Sequence, residues 1–325
     1  MRSGGGSVKR GTSWRLAALA TALVAVVAFT GCAIVRPRGD DPLRYRDQIF
    51  SAVTIARDLQ YGSATNVEGE TEALLLDLYQ PTGDTVDERP AIVWVHGGSF
   101  CCGDKASGPS PDLANKFAKL GYVTVSINYR LSAPGGCTGT GFGAACVAAV
   151  FDAQHDAQAA IRWLRANADT YGIDSSRIAI GGESAGGITA TLAGLRANDP
   201  GGSGNPGYPS NVSAFSSISG GILGGYFVDA PDSPGIFFHG TADGVVPYSW
   251  SADTVRNLRS LGKLPFLERY EGAGHVPYTE FGAQIFTHTS YYFYWALDLA
   301  HADGQTAAAA RAAERMTAKF PELAR

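Results

Sequence analysis

The stretch Arg177-Ile-Ala-Ile-Gly-Gly-Glu-Ser184-Ala-Gly-Gly187 decides how this chain is read. Arg177–Gly181 is a short apolar run of the kind that forms a strand buried on both faces. Ala185–Ala197 continues with small and apolar residues and reads as a helix. Between them lies Gly182-x-Ser184-x-Gly186. A serine on so sharp a strand-to-helix turn needs glycines two before and two after it, because side chains there would collide. The turn lifts Ser184 Oγ above the sheet edge and aims the N-terminus of the next helix at it. The amide of Ala185 is then free to stabilise an oxyanion. In that context Ser184 is the candidate nucleophile.

Outward from this turn, strands and helices alternate. Upstream, Ala91–Val95 is a continuous apolar run, and Tyr122–Tyr129 is the next strand. Ser110-Pro111 reads as an N-cap and first helical residue, with Leu113, Ala114, Phe117 and Leu120 at helical spacing behind it. Val53–Asp58 and Ala73–Tyr79 read as an opening antiparallel pair. Leu131–Val150 is rich in Gly, Ala and Cys and reads as a loop. The helix after it carries Ala157, Ala160, Ile161, Leu164 and Ala168 on one stripe, with Gly172 as its C-terminal cap. Downstream, Ser213–Ile218, Gly235–His239 and Pro265–Tyr270 are strands. Val255, Leu258 and Leu261 mark a helix closed by Gly262, and Gly282–Leu299 a final aromatic helix. The alternation implies an α/β fold: a mostly parallel sheet with helices on both faces, in one large domain.

A second motif, Val95-His96-Gly97-Gly98-Ser99-Phe100, directly follows a buried strand. Taken with Gly-Glu-Ser184-Ala-Gly-Gly187, it resembles the HGG-type α/β-hydrolases, the carboxylesterases and hormone-sensitive-lipase-like esterases. The resemblance covers roughly Leu75 to Leu297. It implies an eight-stranded α/β-hydrolase fold, with the amides of Gly98 and Ser99 joining Ala185 in an oxyanion hole and His96 structural. Two residues depart from the motif. Ser99 stands in place of a third glycine, which a backbone donor tolerates. Glu183 stands where an aspartate is common in the hormone-sensitive-lipase branch, and so points towards the carboxylesterases.

The partners of Ser184 are expected downstream, an acid and then a histidine. Gly235-Ile-Phe-Phe-His239-Gly-Thr-Ala-Asp243 is a strand followed by a loop acid, and it looks like the family's HGxxD segment. Tyr270-Glu-Gly-Ala-Gly-His275 puts a histidine in a glycine-rich loop after the last strand. Ser184, Asp243 and His275 thus each follow the C-terminal end of a strand, the edge where open α/β sheets place their sites. His275 would take the serine proton, and Asp243 would fix its tautomer. Competing residues are His239 for the base and Asp229, Asp232 and Glu271 for the acid. Only Ser219–Pro234 separates two strands at the place where lids are commonly inserted, so no large cap domain is expected.

The N-terminus carries Arg2, Lys9, Arg10 and Arg15, then an uncharged apolar run from Leu16 to Gly31. That run is short for a membrane span and suits an export signal. Phe29-Thr30-Gly31-Cys32 resembles a bacterial lipobox, with Cys32 as the lipidated residue; plain secretion or an uncleaved anchor are the other readings. The chain divides into a signal peptide at 1–31, a tether at 32–48 and an α/β-hydrolase domain at 49–325. Export makes Cys101, Cys102, Cys137 and Cys146 disulfide candidates. Neighbouring cysteines such as Cys101 and Cys102 rarely pair, because the ring they close is strained. Cys137–Cys146 is the simplest pairing, although either residue has Cys101 or Cys102 as an alternative partner.

A net charge of -4 and a pI near 5.9 argue against nucleic acid as a partner. No CxxC or HxxxH spacing suggests a metal site, and no cofactor is implied. The expected function is hydrolysis of small-molecule carboxylic esters with short to medium acyl groups, through a Ser-His-Asp triad and an acyl-enzyme. The protein is expected to be exported, either as a cell-envelope lipoprotein held to the membrane by its lipid or as a secreted enzyme; protein partners are unknown. Its rivals are a serine peptidase or amidase of the same fold and a non-catalytic binding protein.

Overall fold

The computed structural model describes residues 42–137, 143–223 and 233–302. The predicted signal segment, Cys32, Asp229 and Asp232 lie outside them. Eight strands form one sheet: β1 (Val53–Thr65), β2 (Thr71–Pro81), β3 (Arg89–Val95), β4 (Val123–Ile127), β5 (Ile173–Glu183), β6 (Ala214–Ile218), β7 (Gly235–Gly240) and β8 (Phe266–Tyr270). Their order is β1-β2-β4-β3-β5-β6-β7-β8. The pairs β1–β2 and β2–β4 are antiparallel, and every pair from β4 to β8 is parallel. This is the eight-stranded α/β-hydrolase architecture that the motifs imply.

The central strands read as unbroken apolar runs because each feeds two cores. Successive side chains of a strand point to opposite faces. On β3, Ala91, Val93 and Val95 enter one core while Ile92 and Trp94 enter the other. Phe237 of β7 likewise opposes its neighbours Ile236 and Phe238. The first core is covered by α2 (Ala144–Ala166), α4 (Ala185–Leu195) and α5 (Tyr248–Ser260). The second is covered by α1 (Pro109–Ala118) and α6 (Tyr278–Ala296). Short helices α3 (Ala168–Tyr171) and α7 (Leu299–Ala302) complete the set, and α3 ends on Gly172 in the left-handed conformation. Tyr292 and Tyr294 of the aromatic run in α6 are buried packing residues. Among the described residues, no helix is long and apolar enough to cross a membrane.

Four local expectations are corrected. Helix α2 begins at Ala144, inside the segment read as a loop, because Ala144, Ala145, Ala148 and Ala149 are strong helix formers. Ser110 is not a cap: Gly108 holds that position, and the Ser110 hydroxyl donates instead to Glu183 Oε2 at 2.9 Å. Leu261 is 56% exposed and stands just past α5, whose buried face is Trp250, Thr254, Val255 and Leu258. The predicted tether reaches too far, since Leu43 and Tyr45 are buried in the second core and the Tyr45 amide donates to the Leu120 carbonyl at 2.8 Å.

Candidate active site

Ser184 sits between β5 and α4 at φ 55, ψ -121, with 8% of its surface exposed. Glycine is obligatory on both sides. A Cβ on Gly182 would strike the Gly186 carbonyl, and one on Gly186 would strike the Val95 carbonyl. The Ser184 amide donates to the Ile218 carbonyl at 2.8 Å, which ties the turn to the end of β6.

The structure brings Ser184, Asp243 and His275 together. His275 Nε2 lies 2.8 Å from Ser184 Oγ, and His275 Nδ1 lies 2.8 Å from Asp243 Oδ2. Asp243 has no exposed side-chain surface, while His275 is partly open. Asp243 Oδ1 accepts the amides of Val245 at 2.9 Å and Val246 at 3.0 Å. Burial pushes the Asp243 carboxyl up, but hydrogen bonds from His239, His275 and the Val245 amide outweigh it and hold the group well below the usual carboxylate range. An ionised Asp243 requires the proton on His275 Nδ1, which leaves Nε2 a lone pair facing Ser184 Oγ. The set can therefore draw the proton from the serine hydroxyl.

His239, the competing base, does not face Ser184. Its Nδ1 meets Ser251 Oγ at 2.8 Å, its Nε2 meets the Val246 carbonyl at 2.9 Å, and Asp243 Oδ2 is 3.2 Å away. It orders the acid's loop. Of the competing acids, Glu271 lies beside Thr241 and Arg269 instead of beside His275.

Gly98 and Ser99 both adopt positive φ, 126° and 53°. Among the described residues their amides make no hydrogen bond to protein. Their carbonyls are occupied: Gly98 accepts the amides of Cys101 and Cys102, and Ser99 accepts that of Cys137. Ala185 is the first residue of α4, so its amide has no acceptor within the helix. Gly98, Ser99, Ser184 and His275 line one open cleft of about 420 Å³. Ser99, Ser184 and Ala185 also line a small recess of about 20 Å³, backed by Phe100, Ile188 and Trp250. Beyond Ile188 and Trp250 lies a wholly apolar cavity of about 80 Å³ with Val150, Leu192 and Ile222.

The four cysteines pair as Cys101–Cys102 and Cys137–Cys146. The second is the pairing expected from spacing. The first corrects the expectation that neighbours stay apart. A tight turn, closed by two amides on the Gly98 carbonyl, holds both side chains together. Cys137–Cys146 joins the segment beside Ser99 to α2, and so braces the cleft wall.

Glu183 does more than mark a family branch. Its Oε1 accepts the Gly97 amide at 3.0 Å, and its Oε2 accepts the Ser110 hydroxyl. Burial pushes it up to about 8, partly offset by those two donors. One buried carboxyl thus pins the serine turn to the loop that carries Gly98 and Ser99. Its position immediately before Ser184 was the available signal, but the partners are remote in sequence. Trp250 was also not singled out, as nothing in its surroundings separates a pocket wall from core. His96 is buried, its Nδ1 donates to the Gly97 carbonyl at 2.6 Å, and its ring stacks on Tyr129, as a structural residue does. Among the described residues, no group of three His, Cys, Asp or Glu side chains is placed to hold a metal ion.

The BD-FAE family profile matches residues 76–217. Esterase LipC of Mycobacterium tuberculosis is 33% identical over 140 residues, which are 41% of this chain and 29% of that one. Lipase 1 of Geotrichum candidum is 32% identical over 135 residues, 41% of this chain and 23% of that one. The chain thus spans less than a third of the length of these relatives. Among solved structures, a truncated carbohydrate esterase from gut microbiota superposes with a TM-score of 0.63 at 23% identity, over 77% of this chain and 98% of that one. Esterase 2 of Thermogutta terrifontis, phosphorylated by paraoxon, superposes with a TM-score of 0.59 at 23% identity, over 78% and 96% of the two chains. At that identity the likeness is one of fold.

Proposed function

We propose that this chain is a serine carboxylic ester hydrolase of the HGG-type carboxylesterase group, a reading supported by the family profile over residues 76–217 and by the esterases it resembles. The observation that carries the reading is the continuous line Asp243–His275–Ser184, with both links at 2.8 Å. Ser184 Oγ attacks the ester carbonyl as His275 takes its proton. The carbonyl oxygen becomes an oxyanion facing the amides of Gly98, Ser99 and Ala185. His275 then gives its proton to the leaving alcohol, and an acyl-Ser184 remains. Water, deprotonated by the same histidine, releases the acid. Asp243 stays ionised throughout and stabilises the imidazolium.

The small recess beside Ser184 suits a short acyl group, and soluble esters of about two to eight acyl carbons are the substrates of this reading, since each buried methylene is worth about 0.8 kcal/mol only while it remains inside. Two disulfides and the basic-then-apolar N-terminus support export, with a lipid on Cys32 as the membrane attachment.

Intact-mass measurement after treatment with a fluorophosphonate tests the mechanism without knowledge of the substrate. One adduct is expected on the native protein and none on Ser184→Ala. Turnover of a nitrophenyl ester but not of a peptide anilide is expected alongside. An adduct that persists in Ser184→Ala would remove Ser184 from its role.

A further inference from the structure

Each of the three proposed oxyanion donors belongs to a peptide unit whose carbonyl is already committed. A trans peptide is planar, and its C=O and N–H point in opposite directions. A donor on the carbonyl therefore aims the amide of the next residue. Ala185 is aimed by its own helix, since the Ser184 carbonyl accepts the Ile188 amide at 3.0 Å. Gly98 is aimed by His96, whose Nδ1 donates to the Gly97 carbonyl at 2.6 Å. Ser99 is aimed through the Gly98 carbonyl, which accepts the amides of Cys101 at 3.0 Å and Cys102 at 3.1 Å.

The last of these anchors needs support. Ser99 and Phe100 stand between its two ends at φ 53° and 61°, a left-handed turn that residues with side chains disfavour. A Cβ on Gly98 would meet the Cys102 carbonyl, so the two ends pack backbone to backbone. Cys102 is exposed, and water competes there for the amides. The Ser99 and Phe100 carbonyls are held by the amides of Cys137 at 2.9 Å and Ala133 at 3.1 Å, but those bonds leave the peptide between Cys101 and Cys102 free to turn. The Cys101–Cys102 bridge removes that freedom. The ring it closes contains this very peptide unit, whose N–H donates to Gly98. Both cysteines lie outside the hydrophobic cores. A bridge between neighbours also closes so short a loop that it restrains the unfolded chain little. General stability is therefore not what it supplies.

We propose that the Cys101–Cys102 disulfide is a positioning element for the oxyanion hole, holding the Ser99 amide on the oxyanion, and that its reduction by a dithiol slows ester hydrolysis. The proposal rests on the reading of Ser184 as the nucleophile. The dithiol's thiolate attacks Cys102 Sγ, the S–S bond breaks, and Cys101 leaves as a thiolate that takes up a proton. The reagent's second thiol then displaces Cys102 from the mixed disulfide. The reagent departs as its own disulfide, and the protein has gained two electrons and two protons.

The test compares native protein with Cys101→Ser/Cys102→Ser, which keeps Cys137–Cys146. Turnover of nitrophenyl acetate is expressed per site labelled to completion by a fluorophosphonate, so that unfolded molecules do not count. The variant should lose about tenfold in kcat, part of the roughly 10²–10³ that a missing oxyanion donor costs, with KM changed by less than about twofold. A trifluoromethyl ketone, whose oxygen becomes an oxyanion when serine adds to it, should bind the variant about tenfold less tightly. The pH midpoint of kcat/KM should not move, since Asp243 and His275 are untouched, and Tm should stay within a few degrees. Dithiothreitol should impose the same loss on native protein, oxidised glutathione should reverse it, and the variant should respond little. Free thiols at 101 and 102 in native protein, equal kcat and ketone affinity in the two proteins, a lowered Tm with unchanged ketone affinity, or an equal response of both to dithiothreitol would each overturn the proposal. Native protein that turns over no ester would remove the reading of Ser184, and the proposal with it.

Discussion

At Ser184 the backbone itself is under tension. Its φ of 55° and ψ of -121° lie where an L-residue is disfavoured, and conformations of that kind cost of order 1–3 kcal/mol. The turn persists because Gly182 and Gly186 let three backbone segments close around it and because the Ser184 amide is anchored on Ile218. Relief of that strain should therefore raise stability while it removes the proposed nucleophile. Ser184→Gly is expected to be more stable than Ser184→Ala by about 1 kcal/mol, once the greater unfolded-state freedom of glycine is set against the strain released. Both variants lack the hydroxyl and its bond to His275, so the difference isolates the backbone. Urea unfolding of the pair measures it. Equal midpoints, or a less stable glycine variant, would mean that the turn carries no strain.

At the scale of elements, the strands were legible because burial on both faces leaves continuous apolar runs such as Ala91–Val95, and the three site residues because each stands in a glycine-marked loop at a strand end. Less legible were boundaries set by tertiary contacts. Ser110 has the composition of a cap, yet its hydroxyl is drawn to Glu183, 73 residues away. Helix α2 starts early because alanines override the loop reading of their Gly- and Cys-bearing neighbourhood. The role of α5 was hidden too. Its Trp250, with Ile188 of α4, separates the recess beside Ser184 from the apolar cavity of about 80 Å³ behind it. A shorter apolar side chain there should join the two. Trp250→Leu is expected to move the optimum of a nitrophenyl-ester series to longer chains and to raise the octanoate-to-acetate ratio of kcat/KM about tenfold, the equivalent of burying roughly two more methylenes. An unchanged chain-length profile would show that the acyl chain leaves the site in another direction.

Across the whole molecule, two buried carboxyls with opposite shifts set a pH dependence for folding. Asp243 is held below its ordinary value by the donors around it, so its contribution is present above about pH 4 and is lost as pH falls through the depressed folded value. Glu183 works in the other direction. Burial raises it to about 8 from 4.5, so between those values the folded chain binds a proton that the unfolded chain has released. Its contribution is complete below 4.5 and is lost as pH rises towards 8. Each unit of such a shift is worth about 1.4 kcal/mol. Glu183→Gln removes the ionisation and keeps both an acceptor for the Gly97 amide and a polar contact for Ser110. Native protein should accordingly lose thermal stability between pH 5 and pH 8 relative to this variant, with the gap in Tm widening steadily in favour of glutamine as pH rises. The Gly97 amide and the Ser110 hydroxyl both favour the ionised form, so they limit that loss without reversing it. Tm profiles that run parallel from pH 5 to pH 8 would mean that Glu183 is already ionised at neutral pH and that charge, not a shared proton, holds the two loops together.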